Sequence, residues 1–235
     1  MKKFVFPAIV AISLFFAGNA FAQTNFQTFY DLGRGHFTTT MEGFHTDDWG
    51  NTFFFIDYDY NMRNLNNTVI SPSGTYMEIA RCLNFWQDSS LSALSIQVEY
   101  NGGLGIFGVP ATIGGFTVNN AFLVGLDYFL HSENFNNTLN LKLLYKKFND
   151  LYSKIPMQFT AVWGLQDLFG AKGLRFSGFA DFWCEGNNLV FLSEPQLWYQ
   201  VFDHFNIGGE VEFSYNFAGM QGFNVMPCIG TKWVF

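Results

Sequence analysis

Charge is scarce in this chain. Asp, Glu, Lys and Arg make up 13% of 235 residues, about half of what a soluble domain carries. The balance is acidic, with a formal net charge of −7. An acidic chain without basic patches excludes a nucleic-acid partner, because phosphate binding needs clustered Lys and Arg. Cysteine is nearly absent. The three residues Cys82, Cys184 and Cys228 cannot all pair within one chain, and their spacing fits no metal site, so they are read as packed thiols. Beyond the first twenty or so residues, no apolar run reaches the length of a spanning helix, although 49% of the residues are hydrophobic. A cofactor motif is missing too. The glycine-rich run Gly102-Gly103-Leu104-Gly105 lacks the Lys-Ser/Thr pair and the following helix of a phosphate loop.

The first residues are of another kind. Met1-Lys2-Lys3 is basic, Phe4 to Gly18 is apolar, and Ala20-Phe21-Ala22 supplies the small residues of a cleavage site. That order is a secretory signal peptide over 1–22, with Gln23 as the expected mature start. The expected domain is then 23–235.

Aromatic residues are abundant, at 20% with 31 Phe. Low charge and many rings fit a protein whose outside meets lipid and whose girdles sit at the two interfaces. In a transmembrane strand, successive side chains face lipid and lumen in turn. Twelve windows follow that rule. The clearest are Asn51 to Tyr60, Leu91 to Tyr100, Ala121 to Leu130, Asn137 to Lys147, Leu174 to Phe182, Ile207 to Phe217 and Asn224 to Phe235. Weaker windows are Phe26 to Leu32, His36 to His45, Tyr76 to Phe85, Ile155 to Leu165 and Asn188 to Tyr199. Pro195 requires a bend inside the last of these. Asn61 to Gly74, Asn101 to Gly115 and His131 to Asn137 read as turns.

An unpaired backbone amide in hydrocarbon costs several kcal/mol, so a spanning sheet keeps no edge. The expected fold is therefore all-β: a transmembrane antiparallel β-barrel of about 12 strands, integral to the outer membrane of a Gram-negative cell. Outer-membrane lipids are then one partner. The closing strand ends on Trp233 and Phe235. This resembles the C-terminal signal of outer-membrane barrels, which implies recognition of Phe235 by the barrel-assembly machinery.

The inward positions suggest what the barrel does. Acidic groups there include Asp57, Asp59, Asp181, Glu210 and Glu212, against Lys142, Lys146, Arg175 and Lys232. Such a lumen repels phosphate and sulfate and admits neutral or cationic solutes. The same faces carry Phe53, Phe55, Phe129, Phe179, Trp183 and Trp198. Aromatic faces stack on planar bases at about 1–3 kcal/mol each. Against this stands the tendency of small barrels to fill themselves with side chains.

Tyr76-Met77-Glu78-Ile79 in the fourth window, Gly178-Phe179-Ala180-Asp181-Phe182-Trp183 in the ninth, and the aromatic closing strand resemble the Tsx-type family of nucleoside-specific outer-membrane channels. The resemblance implies a monomeric barrel that passes nucleosides by diffusion, without cofactor or metal, and names Phe179, Asp181 and Trp183 as substrate contacts. Arg175, Asp57, Asp59, Phe55, Glu210, Glu212 and Lys142 complete the expected lumen site. Three other readings compete: a closed structural or adhesion barrel, a lipid-modifying barrel enzyme, and a soluble periplasmic β-protein. For the enzyme, only His131-Ser132 are adjacent, in a turn, and neighbours on a strand point to opposite faces. No catalytic residues are expected.

Overall fold

The computed structural model describes residues 22–109 and 112–235. The signal segment falls outside the described residues, except for Ala22, which opens the first strand. Alternation of apolar with polar or small residues becomes strand almost everywhere it occurs. The strands are β1 (Ala22–Asp31), β2 (His36–Asp47), β3 (Gly50–Tyr60), β4 (Gly74–Leu83), β5 (Leu94–Val109) and β6 (Thr112–His131). They continue with β7 (Asn137–Phe148), β8 (Met157–Leu165), β9 (Leu174–Glu185), β10 in two pieces (Asn188–Ser193 and Gln196–Phe202), β11 (Phe205–Tyr215) and β12 (Phe223–Val234).

Each strand pairs antiparallel with the next, and β1 pairs with β12 from Asn25↔Val234 to Asp31↔Cys228. The sheet thus closes into a twelve-stranded barrel, and no edge is left to hydrocarbon. Ala22 and Phe235 lie at one end, where the Phe235 amide donates to the Thr24 carbonyl at 2.9 Å. We call this the terminal end and the other the far end. No described helix is long and apolar enough to cross a membrane; the helical content among the described residues is one 3₁₀ turn, Leu168–Gly170.

The outside is a continuous band of large apolar side chains. On β6, Phe122, Val124, Leu126, Tyr128 and Leu130 are all exposed, while Leu123 and Asp127 between them are buried. On β12, Ile229, Trp233 and Phe235 are exposed in the same alternation. Arg81 lies on the outer face near the terminal end, where its guanidinium donates to Asp47 at 2.7 Å and to Thr52 at 3.1 Å. Pairing on the outer face is what lets an arginine stand at a bilayer interface.

Two places depart from the reading of the sequence, and the bend expected at Pro195 is present. The expected turn from Asn101 to Gly115 is mostly strand: β5 and β6 run on as a hairpin past their neighbours, paired from Gly103↔Val118 to Val109↔Thr112. Glycine hid the strand, because Gly105 and Gly114 leave the room that the rings of Phe116 and Phe107 occupy across the ladder. Pro195 does interrupt its strand. β10 breaks at Glu194-Pro195, and the Pro195 carbonyl accepts from the Val211 amide at 3.1 Å. Opposite the break, Gly178 has φ +154°, and a Cβ there would lie 2.5 Å from the Glu194 carbonyl oxygen. Phe217, expected on the outer face of β11, turns inward onto Trp183 with ring centroids 6.1 Å apart. β11 ends at Tyr215, and the left-handed Asn216 (φ 53°) resets the alternation.

Candidate functional site

A barrel interior is built by every second residue of each strand, so the site is a property of all twelve strands. The inward side chains enclose one cavity of about 2100 Å³. It is lined from Gln23, Asn51 and Val234 at the terminal end to Arg34, Asn61 and Phe107 at the far end. All ten residues singled out in the sequence line this space: Phe55, Asp57, Asp59, Lys142, Arg175, Phe179, Asp181, Trp183, Glu210 and Glu212. Fifteen carboxylate side chains and five Lys or Arg share the wall, so the interior is acidic overall.

Most of the carboxylates are tied by short hydrogen bonds, between strands or along one strand. Thr40 donates to Asp57, Thr38 donates to Asp59 at 2.7 Å, and Gln196 donates to Glu210 at 2.9 Å. Thr160 donates to Asp181 and Tyr76 to Glu78 at 2.7 Å. Asp127 accepts twice from Asn140 at 2.9 Å. A hydrogen bond to a charged acceptor is worth about 1.5–3 kcal/mol, more than a neutral one, so this network fixes where the carboxylates point.

The cations are held differently. The Lys146 ammonium stands 4.4 Å from the centre of the Trp183 ring and donates to Gln158 at 2.7 Å. The Lys232 ammonium stands 4.4 Å from the Trp198 ring. Ring faces attract cations by about 0.5–2 kcal/mol, and both lysines lie flat against the wall as a result. Arg175 and Lys142 take no hydrogen bond or ion pair from the described residues, and the Arg175 Nε is buried without a partner.

The far half of the lumen narrows on one side. Ala121, Leu123, Leu144, Phe148, Trp183 and Val190 form an apolar cluster inside the barrel, with Phe217 packed on it. Trp183 is 6% exposed, so its surface is committed to this cluster and to Lys146. Sequence pattern did not point to this cluster, since Leu123 and Leu144 sit in the inward register that polar residues otherwise occupy. Phe55 also lines the lumen, and its ring lies 5.9 Å from that of Tyr76.

The far mouth carries a latch. The β1–β2 turn leans inward: Leu32 donates to the Pro227 carbonyl at 2.9 Å, and Arg34 bridges Asp31 at 2.8 Å and Glu212 at 2.6 Å. Burial works against the charge on Arg34, but the bonds and charges of Glu212 and Asp31 outweigh it and hold its pKa above the ordinary value. His131 meets Ser132 through the backbone, its Nδ1 2.8 Å from the Ser132 carbonyl oxygen, and no bond joins the two side chains among the described residues. The Ser132 hydroxyl donates to Asn134 at 2.7 Å, and the imidazole stacks on Phe135 with ring centroids 4.0 Å apart. That arrangement gives the serine no base.

A family model described as Domain of unknown function (DUF5020) matches residues 21–235. The chain belongs to this DUF5020 family. Its description names no substrate, and no curated protein matches the chain. Among solved structures, the DUF5020 barrel is similar to a KdgM porin in complex with disordered oligogalacturonate, with a TM-score of 0.52 at 10% identity. The match covers 91% of this chain and 99% of that one. A second structure of KdgM porin matches with a TM-score of 0.52 at 11% identity over the same shares. At such identity the likeness is one of fold: the DUF5020 chain has the fold of an outer-membrane porin. Of the expected Tsx-type family, these findings support the porin-like barrel and place the chain in the DUF5020 family instead.

Proposed function

We propose that this protein is a passive outer-membrane channel, exported by its N-terminal signal and inserted by way of the aromatic closing strand, for small neutral solutes of the nucleoside class. One observation carries the reading: a single cavity lined at both ends of a closed barrel, with most of its carboxylates hydrogen-bonded to the wall. Diffusion through it needs neither nucleotide hydrolysis nor a coupled ion. At mid-height, Phe55, Tyr76 and Phe179 offer ring faces, and Asp57, Asp181 and Glu210 offer acceptors for ribose hydroxyls and base edges. Stacking contributes about 1–3 kcal/mol per base, which suits weak binding and release.

The acidic wall also argues against a ligand like that of the similar porin. Oligogalacturonate is a polyanion, and a lumen with three times as many carboxylates as cations opposes its entry. Planar-bilayer recording tests the proposal. The purified barrel is expected to give discrete conductance steps, and millimolar uridine is expected to reduce them. Phe179→Ala and Asp181→Asn are expected to weaken that block at least threefold while the barrel stays folded. Absence of any conductance would favour a closed structural barrel instead.

A further inference from the structure

In the terminal half of the lumen, two cations share Trp198 as a neighbour, and neither carries a carboxylate among the described residues. Strand pairing sets Arg175 beside Trp198 and sets Lys232 beside Gln27. The Arg175 side chain lies across Gly164: a Cβ at that glycine would be 3.7 Å from a terminal guanidinium nitrogen and 3.0 Å from the Thr138 hydroxyl. Lys232 covers the Trp198 ring, and its one hydrogen-bond contact is a long one to Gln196 at 3.5 Å. Neither cation forms an ion pair among the described residues.

A carboxylate lies close by in the strand register. Glu42, on β2, pairs with Asn25 of β1, two residues from the Gln27 that pairs with Lys232, and its charge acts on both Arg175 and Lys232. Asn25 donates to one of its oxygens at 2.8 Å, and the other takes no bond from the described residues. Gln27 lies between Glu42 and Lys232 in the order of strands, is 1% exposed, and leaves its Oε1 without a partner. A buried acceptor without a donor costs about 1–3 kcal/mol, so Gln27 Oε1 gains from any donor that the lumen brings to it, water or solute.

We propose that Arg175 and Lys232 bind the carboxylate of a small zwitterion while Glu42 and Gln27 bind its ammonium group. This goes beyond the passage of neutral solutes and rests on the same cavity being reachable from solution. The argument is one of double selection. The acidic lumen rejects solutes of net negative charge, so a carboxylate reaches the two free cations only when the same molecule carries a positive charge. A guanidinium matches a carboxylate in a fork of two parallel bonds. The opposite pole of the site then fixes the orientation of the molecule across the pore.

Isothermal titration of the detergent-solubilised barrel with three probes tests this directly. The probes are 6-aminohexanoate, hexanoate and hexylamine, which share one chain and differ only in their charged ends. The zwitterion is expected to bind at least tenfold more tightly than either singly charged probe. Arg175→Gln and Glu42→Gln are each expected to weaken it at least tenfold, and Arg175→Lys to retain part of the affinity. Equal binding of zwitterion and hexanoate, no binding of any probe, or unchanged affinity in both Gln variants would overturn the proposal. The comparison of probes on the unaltered protein needs no variant to fold. Titration and conductance separate the two readings: zwitterion binding without current removes the channel and keeps the site, and uridine-sensitive current without zwitterion binding does the reverse.

Discussion

At the scale of residues, the Arg34 latch shows how much one side chain decides. Glu212 is 6% exposed, and its second oxygen has no partner. Removing Arg34 therefore strands a buried carboxylate, and the cost of breaking a buried pair this way exceeds the worth of the pair itself. Arg34 is partly exposed, which reduces the effect to about 1–2 kcal/mol by the usual discount for solvent screening. Arg34→Ala is expected to lower the unfolding free energy measured by urea titration in detergent by that amount. The double variant Arg34→Ala/Glu212→Gln is expected to recover most of it, because the stranded charge is gone. The cycle measures the coupling between the two groups, and additivity would show the latch to be energetically idle. The pH dependence follows in sign. The pKa of Arg34 is raised in the fold, so its contribution is complete below its unfolded value and is lost only at extreme alkalinity. The latch therefore keeps the Arg34 contribution on the alkaline side of neutrality, and far-mouth flicker in single-channel records is expected not to change as the pH is taken from neutral to mildly alkaline.

At the scale of elements, the β5–β6 hairpin stands apart. Its outer part, from Leu104 to Thr117, pairs mainly with itself, and Ile106 meets the rest of the barrel through one bond to the Ser73 carbonyl at 2.7 Å. Below it, β4–β5 and β6–β7 pair over their whole lengths, from Gly74↔Gly105 and Ala121↔Phe148 inward. Replacing residues 106–115 with an Asn-Gly turn is therefore expected to leave the heat-modifiable barrel intact on gels, since two-residue turns of this type suit antiparallel strands. Loss of the folded band would show that the hairpin supports closure. The same element marks where the sequence could and could not be read. Alternation of oil and water fixes strands that face a bilayer, so Phe122 to Leu130 and Ile229 to Phe235 announce their outer faces. Beyond the membrane no such contrast is imposed. Gly102 to Gly105 then looks like a turn although cross-strand rings pack over its glycines. The interior was legible as a set of wall positions, including Arg175, Asp57 and Glu210. Its apolar cluster around Leu123 and Leu144 was not, because inward leucines carry the same letter as lipid-facing ones and only register tells them apart. Pair partners such as Lys146 and Trp183 come from β7 and β9 and share no sequence spacing at all.

At the scale of the whole molecule, the excess of carboxylates along a closed lumen sets a field. Low-dielectric walls on all sides concentrate it, so cations gather inside and anions are depleted. The barrel is expected to pass potassium in preference to chloride, with a reversal potential of the sign for cation selectivity under a salt gradient. Screening decides how strongly. The Debye length is about 10 Å at 0.1 M salt and about 3 Å at 1 M, and a lumen that spans several such lengths at the higher value keeps little of its field at the axis. Selectivity is therefore expected to fall steeply between these two concentrations. Asp57→Asn with Glu210→Gln removes two carboxylates from the wall opposite Lys142 and Lys146 without changing side-chain size. That pair of substitutions is expected to lower the permeability ratio at 0.1 M and to leave it almost unchanged at 1 M. A ratio insensitive to both salt and substitution would mean that the ions pass a constriction whose charge is set elsewhere, and the acidic wall would then be structural.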